Sequence, residues 1–235
     1  MIPIHDLNPR RSPPVVTIAL IVANALVFFY ELSLGQRIEG FLMSSAFVPA
    51  RLWEDGTLSA AAIPGALSSA LLSMFLHGGW GHFLGNMLFL WVFGDNVEDR
   101  LGHVRYLIFY VLAGYAATFA HAWFSPLSTV PAIGASGAIS GVLGAYLVLF
   151  PHSRVLTLIP IVFFLQIVEV PAVVLLGLWF LMQLVSGVGS LGARADVGGV
   201  AFWAHVAGFL AGLFLVNVFK QPERQTVEWW DGVRR

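Results

Sequence analysis

The chain has 235 residues, of which 58% are hydrophobic and only 11% charged. Soluble globular domains carry about 25% charged residues, so the composition excludes this class and indicates a membrane protein. The formal net charge of -1 argues against nucleic acid as a partner, and the lack of cysteine excludes disulfides, thiolate nucleophiles and cysteine-ligated metals.

The first apolar run extends from Val15 to Leu34, directly after Arg10 and Arg11. Its length matches the ~20 residues that a membrane-spanning helix needs. Ala23-Asn24-Ala25 resembles a signal-peptidase site, but the apolar run continues past it. We therefore predict a first helix that is retained rather than a cleaved signal.

Further apolar runs predict five more spanning helices. Residues 35–80 mix charged with apolar residues and predict an interfacial loop region. Residues 154–171 are rich in β-branched residues and predict a short hairpin or interfacial segment. The remaining predicted helices cover about 81–93, 104–124, 136–150, 172–188 and 200–219, followed by a polar tail over 220–235.

The predicted fold class is an all-α membrane protein, a single domain built as a six-transmembrane-helix bundle. Lys and Arg are enriched in cytoplasmic loops. With the N-terminus inside, nine of the 12 basic residues fall on the cytoplasmic side, and only Arg37, Arg51 and Arg194 fall outside. Both termini and the tail are therefore expected in the cytoplasm, with Trp229 and Trp230 at the inner interface.

Ser136 lies in a run of small residues over 133–141, which leaves its hydroxyl uncovered. Two interpretations are open. The run is a surface on which helices pack closely, or Ser136 is a nucleophile. A nucleophilic serine also needs a base and donors that stabilise the oxyanion.

Helix depth supports such a site. Ser136 and His205 each precede the predicted inner end of their helix by 14 residues, or ~21 Å. His82 precedes Phe93 by 11 residues, or ~17 Å, and Asn86 lies one turn deeper on the same face. All four side chains are expected in the outer half of a hydrocarbon core ~30 Å thick.

Glycine stripes predict that the fourth and sixth helices approach each other closely. This approach would bring the His205 imidazole within hydrogen-bond reach of Ser136. The stripes consist of Gly137, Gly141 and Gly144 on one helix and of Gly208 and Gly212, in line with His205, on the other.

These residue types fit acyl transfer. His205 would take the Ser136 proton as the serine attacks a carbonyl and would then protonate the leaving amine. The Ser136 backbone N–H with His82 and Asn86 would form the oxyanion hole.

Three motifs resemble those of rhomboid intramembrane serine proteases. Gly134-Ala135-Ser136-Gly137 is similar to their Gly-x-Ser-Gly motif, and His82-x-x-x-Asn86 to their second-helix motif. The segment 204–212 is similar to their Ala-His-x-x-Gly-x-x-x-Gly motif. The match covers roughly residues 40–219.

The resemblance implies a Ser136/His205 dyad, without metal or cofactor, that cleaves a substrate's transmembrane segment near its outer end. It also implies that the fifth helix flanks lateral substrate access and that Glu98 and Arg100 belong to a structural loop. Gly134 and Gly137 would leave room near the serine, and Gly208 would shape the site. Some members carry Tyr four residues after the nucleophile, where this chain has Ser140; Phe202, Trp203 or helix packing would then orient His205.

Other hypotheses stay open. A transporter or channel would use the same polar residues as a permeation path, and a catalytically inactive relative would bind membrane proteins. Asp196 is a possible third triad member or a solvated loop residue. A zinc site of His77, His82 and His205 lacks a carboxylate at that depth.

We expect an intramembrane serine endopeptidase whose partners are transmembrane protein substrates and the lipid bilayer. A bacterial plasma membrane is the expected location, since no transit peptide precedes the first helix. The active site is expected to open on the extracytoplasmic side.

Overall fold

The computed structural model of the protein describes residues 1–161, 164–190 and 201–222. Eight α-helices and five short strands form in these ranges. The helices are α1 (Val15–Leu34), α2 (Ile38–Ser45), α3 (Ile63–Ser73), α4 (Trp80–Leu101), α5 (His103–Phe124), α6 (Ser136–Leu149), α7 (Ala172–Ser190) and α8 (Phe202–Phe219). The strands are β1 (Ile2–Asp6), β2 (Trp53–Glu54), β3 (Thr57–Leu58), β4 (Arg154–Ile161) and β5 (Phe164–Pro171).

Five of the predicted helices, now α1 and α5–α8, have observed ends within two residues of the predicted ones. The predicted ends were taken from the apolar runs alone, so these runs were enough to place the helices. The predicted start of α8 at Val200 lies outside the described residues, as do Arg194, Asp196, Trp229 and Trp230.

The second predicted helix, α4, does not end near Phe93 but continues to Leu101. His82 is consequently 19 residues, or ~28 Å, from the inner end of its helix instead of ~17 Å. The prediction was wrong because Asp95, Glu98 and Asp99 interrupt the apolar run, yet these carboxylates have partners that let the helix continue.

Glu98 is the clearest example of a carboxylate whose partners let α4 continue past Phe93. Its buried carboxylate accepts hydrogen bonds from the backbone N–H groups of Val16 and Thr17, both at 2.8 Å, and from the Thr17 hydroxyl at 2.7 Å. These N–H groups belong to the first turn of α1, which has no intrahelical acceptors for them. Glu98 and Arg100 therefore lie in the last turns of α4, not in a loop, and Glu98 ties α4 to α1.

The region 35–80, predicted as interfacial loops, contains two helices that the sequence analysis did not predict, α2 and α3. Ser73, at the end of α3, accepts a hydrogen bond at its hydroxyl from the Phe47 N–H and at its carbonyl from the Gly134 N–H. The region thereby anchors the chain that leads into Ser136.

The predicted hairpin is present as β4 and β5, paired antiparallel. The strand β1, which was not predicted, adds to β4 and completes a three-stranded sheet. Beside this sheet Asp6 accepts hydrogen bonds from Asn96 at 2.7 Å and from Tyr146 at 2.8 Å. Burial raises the pKa of the Asp6 carboxyl. The sheet thus lies at the C-terminal end of α6, opposite Ser136.

Helix α6 occupies the centre of the bundle. All residues from Ala138 to Tyr146 are buried, and α4, α5, α7 and α8 pack around it. With 14 residues it is ~21 Å long, shorter than a ~30 Å hydrocarbon core. Within the described residues four helical segments are long and apolar enough to cross a membrane, 15–45, 103–124, 172–190 and 202–219.

Replacing Glu98 by Gln is expected to destabilise the fold by about 2 kcal/mol. The amide keeps the shape but loses one acceptor, which leaves a buried N–H of α1 without a partner. Thermal unfolding in detergent measures the effect. Glu169→Gln is the matched control, because that exposed carboxylate only pairs with Arg154 at 3.2 Å and surface pairs contribute less than ~1 kcal/mol. Equal melting temperatures for the two variants would contradict the role of Glu98.

Candidate active site

Ser136 is the first residue of α6 and is held in place by the chain before it. Gly134 adopts a φ of +122°, a conformation that residues with a Cβ rarely adopt. A Cβ there would also lie only 2.6 Å from His82 Nε2. The Ser136 N–H belongs to the first turn of α6, where the helix supplies no acceptor, so it remains available to a ligand.

The predicted close approach of the fourth and sixth helices is confirmed as contact between α6 and α8. A Cβ on Gly208 would collide with the Gly137 carbonyl oxygen, and one on Gly212 with the Gly141 carbonyl oxygen. A Cβ on Gly144 would likewise collide with the Phe209 carbonyl oxygen. The two backbones therefore touch directly along about two turns of α6.

Gly137 and Gly208 each lie where two helices touch. Gly208 faces α6, as its place in the glycine stripe predicted. A Cβ on Gly137 would lie 2.6 Å from the Ala117 Cβ of α5, so the space beside Gly137, which was expected to leave room near the serine, is filled by α5.

His205 lies next to Ser136 because of this contact. Its Nε2 is 2.8 Å from the Ser136 hydroxyl oxygen, which confirms the predicted proximity of the two side chains. Its Nδ1 is 2.8 Å from Gln183 Oε1 on α7. An amide oxygen only accepts hydrogen bonds, so Nδ1 carries the proton and Nε2 is free to accept from the serine.

His82 lies beside the chain that leads into Ser136, and Asn86 follows His82 by one turn on the same face of α4. His82 Nδ1 accepts a hydrogen bond from the Gly78 N–H at 3.3 Å. The proton of the neutral ring is therefore on Nε2, the atom that faces Gly134. The Asn86 Nδ2 amide is buried and has no hydrogen-bond partner among the described residues. This face of α4 thus carries two donors.

His77 supports His82 from the α3–α4 loop. The two rings stack edge to face with centroids 5.2 Å apart, and the His77 N–H donates to the Glu31 carboxylate at 3.1 Å. Burial lowers the pKa of His77 to about 4, so the ring is neutral at pH 7 and donates from Nδ1 to the Phe75 carbonyl. His77 thus links His82 to Glu31 of α1.

The side chains that contact the His205 ring are not those predicted from the sequence. Trp203 stacks on Phe124 with centroids 4.2 Å apart, and no ring contact joins Phe202 to His205 among the described residues. The aromatic neighbour is Trp179, whose centroid is 6.0 Å from that of His205. The sequence did contain a signal for a functional residue here. Gln183 is a lone polar side chain in the apolar run 172–185, one turn after Trp179.

Ser140, where some rhomboid proteases carry Tyr, is buried and donates its hydroxyl to the Ser136 carbonyl at 2.6 Å. A Cβ on Gly208 would be 3.3 Å from the Ser140 Cβ, so residue 140 lies at the contact between α6 and α8.

The alternative zinc site receives no support from side-chain positions. No group of three or more His, Asp or Glu residues in the described ranges is arranged to hold a metal ion. Asp196, the possible third triad member, falls outside those ranges. The position of a third partner on His205 Nδ1 is occupied by Gln183.

The sequence profile of the Rhomboid domain matches residues 64–222. The chain belongs to the rhomboid family. Rhomboid protein 1, mitochondrial, of Saccharomyces cerevisiae is 30% identical over 162 residues, which is 67% of this chain and 43% of that protein. Rhomboid protease GluP of Bacillus subtilis is 34% identical over 153 residues, 65% of this chain and 26% of the relative.

The presenilin-associated rhomboid-like protein, mitochondrial, of Bos taurus is 33% identical over 137 residues, 53% of this chain and 36% of the relative. This rhomboid chain therefore matches less than half the length of each of these relatives. Family membership and the apolar helices make it a multi-pass membrane protein.

Gly212→Ala is expected to lower the melting temperature by roughly 5 °C, because the added methyl group collides with the Gly141 carbonyl and forces α8 away from α6. Gly177→Ala on α7 is the matched control, since a Cβ there meets nothing within 4 Å. That substitution should leave the melting temperature unchanged or raise it slightly. If both variants melt alike, the helix contact does not limit stability.

Proposed function

We propose that this chain is an intramembrane serine endopeptidase that hydrolyses a peptide bond in or near the outer end of a substrate's transmembrane helix. The observation that carries the proposal is the 2.8 Å hydrogen bond between Ser136 Oγ and His205 Nε2. The name of the related GluP, a rhomboid protease, agrees with it. Neither a metal nor a cofactor is required by the chemistry.

The proposed membrane arrangement has six spanning helices, α1 and α4–α8, with both termini in the cytoplasm. Nine of the 12 basic residues lie on the cytoplasmic side in this arrangement. The strand β1 pairs with β4 at the end of α6 opposite Ser136, so Ser136 lies towards the extracytoplasmic side. Because α6 is only ~21 Å long, its first residue lies below the outer membrane surface.

Regions outside the bundle complete this arrangement. Residues 35–80 lie in the outer interface and 220–235 form a cytoplasmic tail. The proposed location is a bacterial plasma membrane, with the site open to the extracytoplasmic side.

Acylation begins when Ser136 Oγ attacks the carbonyl carbon of the scissile bond and its proton moves to His205 Nε2. The carbon–nitrogen bond then breaks, and the protonated imidazole returns the proton to the leaving amine. An acyl ester on Ser136 remains. A water molecule next attacks the ester with His205 as base, which releases the carboxylic acid and restores the serine hydroxyl.

The oxyanion of each tetrahedral intermediate is stabilised by the Ser136 N–H, His82 and Asn86. The buried, unpartnered Asn86 amide supports this role, since a buried donor without an acceptor is costly unless a ligand uses it. The His82 tautomer with its proton on Nε2 supports it as well.

Substrate access beside α7 follows from the family resemblance. Seven large apolar side chains on this helix are exposed and available to a lipid or a substrate helix. A substrate helix must unwind locally before its carbonyl reaches Ser136, and polar groups at the site can satisfy the freed backbone.

Ser136→Ala and His205→Ala are each expected to reduce cleavage of a transmembrane reporter in liposomes by at least ~10³-fold, because both steps need the nucleophile and the base. Ser68→Ala on α3, an exposed serine, is the control and should cleave like wild type. Wild-type cleavage by Ser136→Ala would overturn the protease proposal and favour a transport or scaffold function.

Asn86→Ala is expected to lower kcat by ~10²–10³-fold with little change in KM, since the oxyanion exists only after attack. His82→Ala should behave in the same way. Asn217→Ala on α8, an exposed asparagine whose amide donates to the Leu213 carbonyl, controls for loss of an amide. An unchanged kcat in Asn86→Ala would exclude it from the oxyanion hole.

A further inference from the structure

The His205 imidazole makes two hydrogen bonds in the structure, and only one is explained by the proposed dyad. Nε2 contacts Ser136, whereas Nδ1 contacts Gln183 Oε1 at 2.8 Å across the boundary between α8 and α7. Triad enzymes place a carboxylate at this second position, where it fixes the tautomer and the orientation of the ring. Here a neutral amide takes that place.

We infer that Gln183 is a positioning residue that holds His205 in the tautomer that can act as a base. Ser136, His205 and Gln183 then form a hydrogen-bonded triad. The inference rests on the proposed function. Gln183 does not touch the reacting atoms; it acts through the imidazole. By accepting the Nδ1–H, its carbonyl oxygen keeps the Nε2 lone pair directed at the Ser136 hydroxyl.

The local packing explains why this chain needs such a residue. Ser140 leaves no aromatic ring on α6 to stack on the imidazole, and its own hydroxyl is used by the Ser136 carbonyl. The nearest ring, Trp179, is tilted 39° to the imidazole with centroids 6.0 Å apart, so it contacts the ring without fixing its rotation. A hydrogen bond to Nδ1 supplies the missing directional constraint.

Both contacts come from one face of α7, because Trp179 and Gln183 are four residues apart. Gln183 is half-buried between the helices, while its neighbours Leu181 and Met182 are exposed. The geometry of the base therefore depends on the position of α7 against α8.

The test compares Gln183→Met and Gln183→Glu in the full chain, reconstituted in liposomes with a transmembrane reporter. Met keeps the volume but removes the acceptor, so kcat should fall ~10–100-fold with KM within about twofold. Glu can only accept, so it should retain activity within about fivefold. It should also move the acidic limb of the pH–rate profile to higher pH, because a carboxylate stabilises the protonated imidazole.

Gln166→Met, the same substitution at an exposed residue of β5 far from Ser136, is the matched control and should leave kcat and KM unchanged. Equal losses in Gln183→Met and Gln183→Glu, a rise in KM alone, or wild-type kcat in Gln183→Met would each overturn the inference. A lower melting temperature in both variants, with activity lost in parallel, would assign Gln183 a purely structural role and overturn it as well.

Failure of this inference is distinguishable from failure of the proposed function. If Ser136→Ala abolishes cleavage while Gln183→Met cleaves like wild type, the catalytic dyad is supported and the positioning role of Gln183 is refuted. If Ser136→Ala cleaves like wild type, the protease proposal itself fails.

Discussion

Backbone contact between α6 and α8 is the constraint on which the candidate site depends. Ser136 and His205 are 69 residues apart in the chain, and neither side chain is long. They meet because Gly144, Gly208 and Gly212, which have no Cβ, allow the backbones of the two facing helices to touch. Without a hydrophobic driving force between helices in lipid, such small-residue contacts are the main source of specific association.

The other elements hold the ends of these two helices. The loop before α6 is fixed by Ser73 at the end of α3, and Gly134 turns the chain so that Ser136 opens the helix. At the opposite end Tyr146 bonds to Asp6 of β1, and Glu98 ties α4 to the start of α1. Buried polar groups are costly when unpaired, so these bonds specify one arrangement of the helices.

The sequence predicted the features that have a local signature. Apolar runs fixed the ends of α1 and α5–α8, glycine spacing predicted the contact of α6 with α8, and level depths predicted that His205 meets Ser136. Prediction from the sequence failed where the role of a residue depends on a partner far away in the chain. Glu98 was predicted to lie in a loop after Phe93, because its hydrogen bonds to α1 leave no signature in the sequence. The strand β1 likewise has no signal apart from its pairing with β4.

The role of Gln183 was missed for the same reason. Its partner is on another helix, whereas the aromatic residues predicted to orient His205, Phe202 and Trp203, are its neighbours in the chain. The glycine spacing predicted the face of Gly208 correctly, but the contact of Gly137 with Ala117 of α5 required the structure. The resemblance to rhomboid proteases supplied the proposed roles of the motif residues, and the geometry shows the contact of Ser136 with His205 on which the proposed dyad rests.

The central claim is that Ser136 is a nucleophile activated by its contact with His205. The most direct measurement is to react the protein in liposomes with a fluorophosphonate and map the adduct by mass spectrometry. We expect one adduct, on Ser136, formed far more slowly in His205→Ala. Absence of labelling at Ser136, or equal labelling rates with and without His205, would contradict the claim.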